Sequence, residues 1–141
     1  KKKIVFKKKN KNEITVTEIL KNLKNIVLKI DIEGDEYKIL SQINKCQKKI
    51  NLLIIEFHYV SKHFSKIKKF LHNTNLKIIH IHANNYGGLD KKKIPTTLEL
   101  TLINNKKFKI QKKKSNYRYP INKLDYRNHK NKDDIQLLFN T

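Results

Sequence analysis

The chain has 141 residues, 38% of them hydrophobic, with one cysteine, no methionine and a formal net charge of +21. That length suits one domain with one core, no window approaches the ~18 apolar residues of a membrane-spanning helix, and the opening KKKIVFKKKN is too broken by lysine for the apolar stretch of a signal peptide. Cys46 alone excludes an internal disulfide and any multi-cysteine metal site, and it fits a reducing cytoplasm.

The elements are expected as follows. Thr15–Leu23 reads as a short helix, with capping-box spacing between Thr15 and Glu18. Asn25–Ile32, NIVLKIDI, is nearly continuous and apolar, as in a strand buried on both faces. Gly34 breaks it. Asp35–Asn44 follows as a helix, with Ile39, Leu40 and Ile43 at helical spacing and Asp35 and Glu36 in the first turn, where the helix dipole favours acids. Asn51–His58, NLLIIEFH, is a second buried strand. Ser61 is placed to cap a helix carrying Phe64, Ile67 and Leu71. Asn75–His82 is a third strand, Asn84–Pro95 is rich in turn residues, and Thr96–Asn104 alternates as a fourth strand. Residues 105–141 read as a basic, tyrosine-dotted tail or extension whose lysines form a solvated face, with Ile135–Phe139 docking at its end.

Strand, helix, strand, helix, strand is the order of an α/β fold with a parallel sheet. The third and fourth strands lack a helical pattern between them and are expected to pair antiparallel. Ligands bind such sheets beyond the carboxyl ends of the strands. The three parallel strands end in Asp31 and Glu33, in Glu56 and His58, and in His80 and His82. A spacing of two points both members of a pair to one face, so six ionisable groups are expected on one rim. The functional reading is acid–base chemistry or a divalent metal. The plainer reading is that strand ends are where polar residues must begin. Asp35 and Glu36 fit the plainer reading as helix-start acids, and His80 fits a satisfied core histidine. His63, His72 and His129 are assigned no role. In ANNYGG, residues 83–88, Asn84, Asn85 and Tyr86 either form a turn or grip a polar substrate such as a sugar.

The charge invites a nucleic-acid partner. However, the chain has 31 lysines against 2 arginines, beside 20 isoleucines and 17 asparagines. All three abundant types have A/T-rich codons, and phosphate contacts would also recruit arginine for its bidentate fork. Genome composition explains the charge better.

LKIDIEGDEYKIL, LLIIEFH, LKIIHIHANNYGG and IPTTLELTLIN, in that order, resemble the C-terminal half of FkbM-type methyltransferases over roughly residues 15–104. The resemblance implies S-adenosylmethionine as cofactor, bound in part by Asp31, and a partial class I (Rossmann-like) sheet comprising strands four to seven with an antiparallel last pair. Residues 1–104 would be the C-terminal half of the domain. Catalytic candidates are then Asp31, Glu33, Glu56 and His58, and acceptor contacts are His82, Asn84, Asn85 and Tyr86. A glycan or other small hydroxyl compound is the implied acceptor. The family's glycine-rich cofactor loop has no counterpart, because glycine stands only at 34, 87 and 88. With Lys1 first and no methionine, the chain is expected to be a fragment, completed by an N-terminal half in the same or a partner chain. The alternatives are a non-catalytic module binding RNA or anionic glycans, and a split-enzyme subunit.

Overall fold

In the computed structural model, the described residues are 3–5, 7–8, 10–110 and 118–137. In chain order they form β1 (Lys3–Ile4), β2 (Glu13–Ile14), α1 (Val16–Ile19), β3 (Ile26–Ile30), α2 (Glu36–Cys46), a 3-10 turn (Gln47–Lys49), β4 (Ile50–His58), α3 (Val60–His72), β5 (Leu76–Ala83) and β6 (Thr97–Asn104). No helix among them is long and apolar enough to cross a membrane.

β1 and β2 pair parallel as a separate two-stranded ribbon. The Thr15–Glu18 capping box forms as expected, but α1 ends after one turn, in a stretch where Asn25 takes a left-handed φ of 54°. Gln42 of α2 ties this region down: its side-chain oxygen accepts from Val16 N at 2.7 Å and its amide donates to Val5 O at 3.1 Å.

The main sheet has the order β3–β4–β6–β5. β3 and β4 are parallel, and β6 is antiparallel to both β4 and β5. The antiparallel pairing of the last two strands is as read from the sequence. The insertion of β6 between β4 and β5 is not visible there. Two reversals leave β3, β4 and β5 running the same way, so their carboxyl ends share one rim.

Alternation divides the sheet. Ile30, Leu53, Ile55, Phe57, Leu100 and Leu102 are buried with Ile39 and Ile43 of α2 and Ile67 and Phe70 of α3. The register puts Lys29, Ile54, Glu56, Glu99 and Thr101 on the other face. The expectation that the first long strand is buried on both faces is corrected here: Val27 is 65% exposed. Among the described residues β3 pairs with β4 only and is an edge. Ser61 is not the cap of α3. Tyr59 is, in left-handed conformation, and the Ser61 hydroxyl instead donates to Asp90.

The described part of the C-terminal segment, residues 118–137, lies against β5 and β6. Tyr119 packs beside His80 in a tilted arrangement, with ring centroids 5.6 Å apart, and bridges to Leu137. Lys123, Lys130 and Lys132 are exposed, in keeping with a solvated basic face. Leu138 and Phe139 of the expected docking motif lie outside the described residues.

Candidate functional site

β3 ends at Ile30, so Asp31 and Glu33 lie beyond the strand rather than on its face. The turn that carries them needs Gly34. Its φ is +100°, and a Cβ there would sit 2.9 Å from the Tyr59 ring. The turn wraps around Glu36, whose Oε1 accepts from the backbone N–H groups of Ile32 (3.2 Å) and Gly34 (3.0 Å).

His58 closes β4 against this turn. Its Nδ1 is 3.0 Å from Glu36 Oε1. Its Nε2 is 3.4 Å from Glu33 Oε2 and 3.7 Å from Glu56 Oε1. The Tyr37 hydroxyl donates to the His58 carbonyl at 2.5 Å. Burial raises the Tyr37 pKa, and the Glu36 charge adds to the effect. Glu56 accepts from the Asn84 amide at 2.9 Å. Burial raises the Glu56 pKa; the Asn84 bond opposes this, and the charges of Asp31 and Glu99 reinforce it.

Asp31, Glu33, Glu56, His58 and Asn84 line a cleft of about 440 Å³, together with Lys29, Tyr86, Thr97, Glu99 and Asn128. Asp31, Glu33 and His58 each offer one ligand atom within 4.8 Å of the others, a spacing open to a divalent ion. An adjoining cleft of about 410 Å³ holds His80, His82, Thr101 and Asp125, and it shares Glu99 and Asn128 with the first. A larger cavity of about 600 Å³ lies between α2 and α3, but no acid or histidine lines it.

Of the residues read from sequence, Asp31, Glu33, Glu56, His58, Asn84 and Tyr86 meet in one cleft. His82 faces the second cleft, where Glu99 lies 3.9 Å from Nδ1 and Asp134 lies 3.8 Å from Nε2. The Glu99 carboxylate raises the His82 pKa, burial opposes it, and Asp125 and Asp134 add to the rise. His80 is satisfied by Asp125 at 2.7 Å. Asn85 is buried and its side chain is spent on residues 129–133.

Two acids escaped the sequence reading. Glu36 fits a helix-start acid by pattern, yet it is fully buried and bound to His58. Glu99 stands opposite Glu56 on one side and His82 on the other. The alternation of TLELTL marks it as a polar-face residue, but only the strand order gives it these neighbours.

A family match covers much of the same region. A family model described as the Methyltransferase FkbM domain matches residues 2–86, which takes in β1 and β2 and stops short of β6. No curated protein and no solved structure matches the chain. The matched span holds Asp31, Glu33, Glu36, Glu56, His58, Asn84 and Tyr86 and covers more than half of the sequence, and the chain therefore belongs to the FkbM methyltransferase family.

Proposed function

We propose that the protein takes part in S-adenosylmethionine-dependent O-methylation of a hydroxyl acceptor, a glycan or another small polyol, and that the rim at the ends of β3 and β4 is the acceptor side of the site. The observation that carries this is the convergence of Asp31, Glu33, Glu56 and His58 within the matched domain. The sheet order, with its antiparallel last pair, supports reading the four strands as the fourth to seventh of a class I methyltransferase sheet.

A carboxylate-lined cleft fits a cationic cofactor in charge, with Asp31 as the carboxylate facing it. That cofactor supplies an electrophilic methyl group. No glycine precedes β3, so a glycine-rich cofactor loop would come from another segment, in the same or a partner chain.

The chain's own residues orient the acceptor and take its proton. Asn84 and Tyr86 contact the acceptor at the mouth of the cleft. His58 Nε2 is the base, because its other nitrogen is already engaged. Glu56, held by Asn84, adds negative charge beside the imidazole as it gains a proton.

The test is methyl transfer from S-adenosylmethionine to a panel of hydroxyl acceptors by the full-length protein, with Asp31→Asn, Glu56→Gln and His58→Asn variants. Turnover is expected to fall by about 10²-fold or more in His58→Asn, the range of general-base catalysis. Unchanged turnover in all three variants would overturn the assignment. The spacing of Asp31, Glu33 and His58 also favours a second reading in which they hold a divalent cation. Activity that survives exhaustive chelation would remove that reading.

A further inference from the structure

We infer that Glu36 is the positioning residue for His58: it accepts a hydrogen bond from Nδ1–H and leaves the Nε2 lone pair facing the cleft.

Glu36 opens α2 and has 0% exposure. Burying a carboxyl group is costly unless donors surround it. Here two backbone N–H groups, of Ile32 and Gly34, and His58 Nδ1 all converge on the single atom Oε1. Both amides can only donate to Oε1, which disfavours a proton on that atom; with Glu36 ionised, or protonated on Oε2, Oε1 accepts from Nδ1 as well. Oε2 is buried without a hydrogen-bond partner among the described residues, and its protonation would not change the role of Oε1. Nδ1 is then the donor. In the neutral ring, Nε2 then carries the lone pair.

The neighbouring residue holds the other end of His58. The Tyr37 hydroxyl bonds the His58 carbonyl, and the Tyr37 ring packs on Phe57 at 5.6 Å. Consecutive residues of α2 thus fix the ring and the main chain of one histidine on β4. Around Nε2 the groups are looser. Glu33, at 3.4 Å, has an 85% exposed side chain, and Glu56 lies at 3.7 Å. Neither distance is a close hydrogen bond, so Nε2 is free to take a proton from a bound hydroxyl. A carboxylate that sets the tautomer of a working histidine is a recurring device.

The role rests on the methyl-transfer reading of the cleft, but its first readout does not. Long-range ¹H–¹⁵N spectra of the full-length protein, at about pH 8 where histidine is ordinarily neutral, should show His58 in the Nδ1–H form. Glu36→Leu removes the acceptor altogether, and the Nε2–H form should gain population. In the same variant kcat should fall by about 10- to 100-fold, the usual cost of losing such a partner, with KM for the acceptor nearly unchanged. An Nε2–H tautomer in the wild type overturns the inference, and so does Glu36→Leu with wild-type kcat. If the wild type turns over no hydroxyl acceptor, the methyl-transfer reading fails, and the wild-type tautomer still decides the role of Glu36.

Discussion

Asn85 and His129 are joined in both directions. Asn85 Oδ1 accepts the backbone N–H of His129 at 2.8 Å, and Asn85 Nδ2 donates to the carbonyls of His129 and Lys132 at 3.1 and 2.9 Å. Asn85 is 1% exposed, so one side chain from the end of β5 satisfies three backbone groups of the C-terminal segment. Lys132 returns the contact by donating to Tyr86 O at 2.7 Å and lying 5.5 Å from the Tyr86 ring centre. Asn85→Ala leaves part-buried backbone groups and the buried end of β5 without these bonds, at about 1 kcal/mol. Amide protection across residues 118–137 should fall, while β3 and β4 keep theirs. Hydrogen exchange by mass spectrometry reads both, and undiminished protection of the segment would contradict this account.

The His82–Glu99 pair has a definite pH window. His82 is raised from an ordinary value of 6.5, mainly by Glu99. Its contribution is therefore full below 6.5 and is lost as pH climbs through the raised value. Glu99 is lowered from 4.5, mainly by His82. Its contribution is full above 4.5 and is lost as pH falls through the lowered value. The pair thus stabilises most between 4.5 and 6.5. Asp125 and Asp134 face His82 as well and strengthen the same trend. The Tm gap between wild type and His82→Asn should be widest in that window and narrow towards pH 8. A gap independent of pH would mean that His82 acts by packing alone.

Glu56 has the opposite effect on stability at neutral pH. Its pKa is raised, mainly by burial, so its contribution is full below the ordinary 4.5 and is lost as pH rises through the raised value. Glu56→Gln keeps an acceptor for the Asn84 amide and removes the charge. The variant should melt above wild type near pH 7 and converge with it in acid, while methyl transfer falls. Thermal melts beside the transferase assay test the pair of outcomes, and a lower melting point at pH 7 would count against the buried-charge explanation. Stability traded for a charge is common at working sites.

Gly34 makes the turn possible. Any other residue at its φ of +100° is strained, and Gly34→Ala should lose about 1–2 kcal/mol from the left-handed backbone alone. The steric part is small, since Tyr59 is largely exposed and its ring can move. Denaturant midpoints measure the loss. Because the Gly34 N–H also binds Glu36, the His58 tautomer should change with it.

Much of this molecule is legible in the order of its residues. Apolar runs that stop at Asp31, at Glu56 and His58, and at His80 and His82 mark three strand ends, and the helical spacing between them requires those strands to run the same way. That much follows from local periodicity and chain connectivity, which any reader of the sequence possesses. What the runs cannot encode is strand order, because the pleat looks the same whichever neighbour it meets. Only the tertiary structure puts β6 between β4 and β5, and with it Glu99 between Glu56 and His82. Distance along the chain likewise hides contacts that close over 44 residues, as from Asn85 to His129, or over 22, as from Glu36 to His58. Glu33 and Glu36 are both acids beside one glycine. The sequence marked Glu33 as a strand-end rim residue and Glu36 as a helix-start acid. The turn geometry alone decided that Glu33 faces water and Glu36 is buried, because a left-handed pair at Glu33 and Gly34 folds the chain back over one carboxylate and leaves the other outside.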